Sequence, residues 1–142
     1  MRVSKEEVAT ACLCHKARMA ARAVTRAYDR ALRSTGMRIT QFTILVAASV
    51  AGGVALGRLA EILGLERTTL TRNLSVLERE GLIQMINPDG RTRNVLITPA
   101  GNARLNAALP LWSRAQEKLR QKFSTQKWEM LQDDLAKLAA LA

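Results

Sequence analysis

The chain has 142 residues, 48% of them hydrophobic but only 4% aromatic, so its core must be built from Leu, Val, Ile and Ala, the economy of packed helices rather than a sandwich. A formal net charge of +10, from 22 basic against 12 acidic residues, favours a polyanionic partner such as nucleic acid or an anionic membrane surface, between which charge alone does not choose. The longest uncharged stretch falls short of the ~20 apolar residues of a membrane span, and the N-terminus lacks an apolar core of signal-peptide length; a cytoplasmic protein with no membrane partner and with reduced cysteines is expected.

Ser4 and Glu7 stand three apart, the spacing at which each side chain satisfies the other's free backbone N–H at a helix start. One continuous first helix is predicted from there to the stop at Ser34-Thr35-Gly36. On a helical wheel Leu13, Ala17, Ala20, Val24, Tyr28 and Ala31 share one side, and Arg18, Arg22, Arg26, Arg30 and Arg33 take the other. One face packs and the other is basic, either as a solvated surface or as part of a field attracting DNA.

Cys12 and Cys14 lie in this helix, two apart, on different faces, where they cannot readily bridge while the helix holds. Cys12 precedes His15 by three and Lys16 by four, and Cys14 precedes Arg18 by four; neighbouring cations favour the thiolate that oxidants attack. The residues leave three readings open: redox sensing at Cys12 and Cys14, inert small helix residues, or a metal pair from Cys12 and His15, which offers only two ligands. No metal centre and no cofactor is expected.

Thr40 is expected to cap a second helix through Gln41 to Val46, ended by Gly52-Gly53, and a third runs from Gly57 to Leu63 with an uncapped start. The fourth helix, Arg67 to Glu80, is the most informative. Leu70, Leu74 and Leu77 recur at i, i+4 and i+7 and must face the core, which turns Thr68, Arg72, Ser75 and Arg79 outward, with Thr69 and Thr71 on the flanks. Short hydroxyls and arginines near a helix N-terminus can enter a major groove about 12 Å wide and meet base edges. Arg67, Thr68, Thr69, Thr71, Arg72 and Ser75 are the candidate contacts.

Apolar runs at Leu82 to Ile86 and Val95 to Ile97 then flank Asn87-Pro88-Asp89-Gly90, a turn sequence, and predict a β-hairpin wing with Arg91 and Arg93 at or near its tip. A tip arginine beside a groove-reading helix is placed to reach phosphates or a narrow minor groove. Thr98-Pro99 starts a long helix to about Phe123, with a kink or break expected near Ala107 to Leu109 because Pro110 lies inside it. Ser124-Thr125 caps a last helix whose Trp128, Leu131, Leu135, Leu138 and Leu141 form one stripe. The apolar faces at the two ends of the chain find no cover within a small winged domain, and would bury one another across a two-fold axis.

On these residues the chain resembles the MarR family of winged helix-turn-helix regulators. The likeness rests on ITQFTILVAAS, LAEILGLERTTLTRNLSVLEREGLI and NPDGRTRNVLITPAG, with Asp89-x-Arg91 and Leu96-Ile97-Thr98-x-x-Gly101 as its most specific marks, and it covers nearly the whole chain. It implies a fold that is mainly α with a small β-wing, a winged helix-turn-helix flanked by N- and C-terminal dimerisation helices. Within one protomer, 1–142, residues 1–35 and 102–142 would be those helices and 38–98 the DNA-binding region. It further implies an obligate homodimer, a recognition helix at Arg67 to Glu80, and Arg91 entering the minor groove. A small phenolic-type effector is implied, in a pocket where the first and the long helix meet the winged domain; in one branch the signal is instead a peroxide, sensed by an N-terminal cysteine. Two positions depart from the pattern: Asn73 replaces a usual apolar residue, which could alter packing under the recognition helix, and Lys127 replaces a frequent acid.

The expected function is a dimeric, sequence-specific regulator, a repressor, on a pseudo-palindromic double-stranded operator. The alternative is a winged module for protein contact or non-specific DNA binding. An enzyme is not expected: the chain has one His, no Gly-rich phosphate loop and no paired nucleophile and base.

Overall fold

In the computed structural model, which describes residues 2–141, the helices are α1 (Lys5–Ala11), α2 (Leu13–Leu32), α3 (Ile39–Ala51), α4 (Leu56–Leu63), α5 (Arg67–Arg79), α6 (Pro99–Arg120) and α7 (Thr125–Ala139). Strands β1 (Val54–Ala55), β2 (Ile83–Ile86) and β3 (Asn94–Ile97) form one antiparallel sheet in the order β1-β3-β2. This is the expected mainly helical winged helix-turn-helix. The core lies inside the winged module, where Ile44 and Leu45 of α3, Leu59 of α4, Leu70 and Leu77 of α5 and Val95 of β3 are fully buried. Among the described residues no helix is long and apolar enough to cross a membrane.

The first helix is not continuous. Cys12, at φ −62° and ψ 112°, is extended: its N–H still closes α1 on the Val8 carbonyl at 3.1 Å, while its own carbonyl accepts the Lys16 N–H at 3.2 Å and opens α2. Among the described residues α1 buries none of its own, so no core packing holds the two pieces collinear. The stop is as expected: a single helical turn, Arg33–Thr35, closes α2, and Gly36 takes the left-handed conformation that follows it.

α3 begins one residue before the expected cap. Its first N–H, on Ile39, is taken by Asp29 Oδ1 from α2 at 2.8 Å, and the Arg38 N–H donates to Gln41 Oε1 at 3.0 Å. A side chain from another helix therefore replaces Thr40 as the cap. α2 is also tied to α6 by the Tyr28 hydroxyl, which donates to Gln116 Oε1, and burial pushes the Tyr28 phenol above its ordinary pKa. α3 meets α6 where Phe42 stacks on Trp112, ring centroids 6.3 Å apart.

α6 runs unbroken through Pro110, so of the expected kink or break no break occurs. Pro110 and Asn106 are both exposed, so water can satisfy the carbonyl that the missing proline N–H leaves free. Its first turn is fixed by Thr98, whose hydroxyl donates to the Gly81 carbonyl at 2.6 Å and accepts the Gly101 N–H at 3.0 Å. A Cβ at Gly101 would lie 2.1 Å from the Leu82 carbonyl oxygen, which explains glycine there: α6 approaches the end of the helix-turn-helix too closely for any side chain.

Candidate nucleic-acid interface

The apolar spacing of α5 orients it as expected. Leu70, Leu74 and Leu77 are buried, Arg67, Thr68, Thr71, Arg72 and Ser75 are exposed, and Thr69 is half-buried on the flank. Glu66 gives α5 no side-chain cap, so the first-turn N–H groups stay available to an anion. Asn73 turns onto its own helix, its Nδ2 donating to the Thr69 carbonyl at 2.9 Å, and the three leucines beside it remain buried. Lys127 does not disturb the last helix start, where its N–H donates to Ser124 Oγ at 3.2 Å.

The wing is shaped by Asp89. Its Oδ1 accepts the Thr92 N–H at 2.7 Å and the Arg91 N–H at 2.9 Å, and its Oδ2 accepts the Thr92 hydroxyl at 3.1 Å. These bonds, the Thr92 N–H first, hold the Asp89 carboxyl below its ordinary pKa. The carboxylate thus fixes the backbone from which Arg91 projects, which is the physical content of the Asp89-x-Arg91 spacing.

Arg93 is not at the tip. Its carbonyl accepts the Leu56 N–H at 3.0 Å, so it stands at the base of the wing against the start of α4 and supplies the bond that the uncapped helix lacked. Its side chain joins Arg67 and Arg91 around a hollow of about 290 Å³ bordered by Ala55, Leu56, Gly57 and Thr92. Thr71 and Ser75 face the wing rather than the open side, sharing a narrow cleft with Met85 and Arg93. Thr68 and Arg72 stand on the open face. The candidate residues thus form two groups, one toward the wing and one outward, while Cys12 and Cys14 lie apart from both, at the joint of α1 and α2.

The electrostatics are one-sided. Among the described residues the ion pairs are Arg58–Glu61, Arg104–Glu80, Arg120–Glu117 and Lys137–Asp134, so Arg67, Arg72, Arg91 and Arg93 carry no acidic partner. Two acids at the end of α5 are occupied elsewhere: Glu78 Oε2 accepts the Met85 N–H at 3.1 Å, tying α5 to β2, and Glu80 pairs with Arg104 of α6. Sequence reasoning missed both roles, because the partners lie on other elements.

Residues 37–89 match the MarR family model. The M. tuberculosis transcriptional regulator MosR, solved in complex with DNA, is 38% identical over 92% of this chain and 95% of its own, with a TM-score of 0.84. A mutant of E. coli MarR complexed with operator DNA shares the fold, with a TM-score of 0.85 at 22% identity over 95% of this chain and 99% of its own. A MarR-family regulator from Rhodococcus does so with a TM-score of 0.78, at 20% identity over 92% and 98%. Curated protein sequences gave no match. With the relative MosR matched over nearly its full length, and with the helix-turn-helix lying within the residues that the family model spans, the chain belongs to the MarR family of transcriptional regulators.

Proposed function

We propose that this chain works in the cytoplasm as a homodimeric repressor that binds a pseudo-palindromic double-stranded operator sequence-specifically. The observation that carries the reading is the set of arginines on α5 and the wing that belong to no ion pair among the described residues. Residues 38–98 are the DNA-binding region. Thr68 and Arg72 meet base edges, Thr69, Thr71 and Ser75 support them from the flank, Arg91 reaches the backbone or minor groove, and Arg67 and Arg93 hold phosphate. Residues 1–35 and 102–142 supply the dimer contact: Val8, Leu13, Val24, Met130, Leu135 and Leu138 are exposed on a single chain, and mutual burial across a two-fold axis would cover them. The two α5 helices would then enter major grooves one helical turn, ~34 Å, apart.

Two inputs to this regulator have support. With Cys12 extended at the joint and Cys14 in the first turn of α2, the two thiols no longer belong to one continuous helix. A hydroperoxide would oxidise one thiolate to a sulfenic acid, releasing water or an alcohol; the second thiolate would displace hydroxide to close a disulfide, the peroxide having taken two electrons. For a phenolic acid, the groove between α2 and α6 offers the apolar Ala27, Ala31, Leu111, Ala115 and Leu119 together with the cationic Arg30, Arg114, Lys118 and Lys122. A protein-contact module is the weaker reading, since the open face of α5 carries no aromatic or large apolar anchor.

Selection of bound sequences from random duplex DNA, repeated with peroxide and with a phenolic acid, tests the reading. A two-fold motif is expected, and recovery without any motif would reject sequence-specific repression. If a Cys12→Ser, Cys14→Ser variant is released from DNA by peroxide as readily as the parent, the thiols are not the sensor.

A further inference from the structure

The arginine ladder of α2 ends in a corner that the DNA reading does not use. Arg26, Arg30 and Arg33, at i, i+4 and i+7 of the sequence, meet Arg38 from the loop before α3 around an open crevice of about 580 Å³, with Asp29, Gly36 and Met37 completing its lining. Four guanidiniums there face one carboxylate. That carboxylate is already employed, since Asp29 Oδ1 accepts the Ile39 N–H at 2.8 Å as the cap of α3. None of the four arginines belongs to an ion pair among the described residues.

Guanidiniums gathered without counter-charge repel one another, and an anion carrying more than one charge would relieve that repulsion while accepting several forked hydrogen bonds. The positive end of the α3 dipole opens on the same corner. A single carboxylate would leave most of these donors unused; a compact polyanion would engage donors from both helices at once. No residue of α4, α5 or the wing lines the crevice, so it is separate from the face proposed to read DNA.

We propose that this crevice is a binding site for a small, multiply charged phosphate compound, of the class of pyrophosphate or a phosphorylated metabolite, held by Arg26, Arg30, Arg33 and Arg38. Occupancy would cross-link the end of α2 to the start of α3.

The test is titration of the intact protein with inorganic pyrophosphate by calorimetry, against sodium chloride at matched ionic strength and without DNA. Saturable binding near one per chain is expected, weakened at least tenfold in an Arg26→Gln, Arg33→Gln variant. All four substituted positions in this pair and its control are exposed on the single chain; circular dichroism melts verify folding, and sedimentation verifies that both variants keep the parent's oligomeric state. An Arg18→Gln, Arg22→Gln control removes the same charge from the same ladder and should bind like the parent. Absence of saturation, or equal weakening in the control, overturns the proposal, the latter because it would mean diffuse charge attraction. If pyrophosphate fails to saturate while the Arg26, Arg33 variant loses affinity and salt dependence for duplex DNA, the crevice is a backbone contact and the proposal likewise falls.

Discussion

Arg67 and Arg93 come from separate elements but border one hollow at the start of α4, where a single phosphodiester group can meet both guanidiniums. We therefore expect them to share a single backbone phosphate. Each phosphate neutralised on duplex DNA adds about 0.9 to the slope of log affinity against log salt, so one shared phosphate per protomer contributes about 1.8 per dimer. Between 50 and 200 mM salt, a slope change of about 1.8 amounts to roughly a 12-fold difference in how much affinity is lost. Arg67→Ala or Arg93→Ala alone should flatten the slope only slightly, because the remaining guanidinium still holds the group. The double variant should flatten it by about 1.8, whereas separate phosphates would give about 3.6. Fluorescence anisotropy with a labelled operator at five or six salt concentrations reads the slope directly. A change near 3.6, or single variants that each lose about 1.8, would refute the shared-phosphate geometry.

Arg72→Ala, on the open face of α5, should relax preference at particular bases by about 1–3 kcal/mol per half-site while leaving non-specific affinity nearly intact, as seen by comparing operator with scrambled DNA. Gly101→Ala would press a Cβ against the Leu82 carbonyl. Overpacking of about 1–3 kcal/mol and a weakened bond of about 1 kcal/mol, less about 1 kcal/mol of helix propensity gained, predict a net loss of about 1–3 kcal/mol. Urea unfolding should show a lower midpoint at unchanged slope. The lowered pKa of Asp89 means that its contribution to wing order is complete above the ordinary aspartate pKa of about 4 and disappears only as pH falls through the lower folded value. The Arg91 and Thr92 amide resonances should therefore stay in place at pH 5 and move below that ordinary range, and an Asp89→Asn variant should lack the transition. Leu135→Asp combined with Leu138→Asp, on exposed apolar positions of α7, should convert the sedimenting species from dimer to single protomers; an unchanged mass would remove α7 from the dimer contact.

What the sequence revealed follows from how local each determinant is. The inward face of α5 was legible because Leu70, Leu74 and Leu77 need only helical periodicity, and the wing because Pro88, Asp89 and Gly90 carry their own turn chemistry. β1 was invisible: two residues, Val54 and Ala55, become a strand only because β3 offers them Val95 and Asn94 as partners. The cap of α3 was misread for a similar reason, since Thr40 is the local candidate and Asp29, ten residues earlier, reaches Ile39 only after α2 and α3 have packed. The break at Cys12 was not legible either: periodicity predicts a helix through it, and exposure does not explain the break, since Leu13 to Arg26 are exposed as well and remain helical. Counting from the turn places Arg93 only at or near the tip, whereas its carbonyl, held by Leu56, fixes it at the base.

These non-local contacts meet at one joint. Tyr28 and Asp29 are consecutive on α2, yet one bonds Gln116 of α6 and the other bonds the first N–H of α3. Phe42 of α3 then stacks on Trp112 of α6, closing a triangle of three helices through three side-chain contacts. α3 forms one wall of the core that seats Leu70, Leu74 and Leu77 of α5, and Glu78 fastens the far end of α5 to the wing. The direction in which α5 points relative to α2 and α6 is therefore set by side-chain packing at this joint rather than by the loop at Gly36. In the proposed dimer the spacing of two α5 helices must match one helical turn of DNA, so a small rotation at the joint would displace both readers at once. The proposed inputs converge on it from different sides: the thiols through the N-terminal end of α2, the phenolic groove through α2 and α6, and the arginine crevice through the same Asp29 that starts α3.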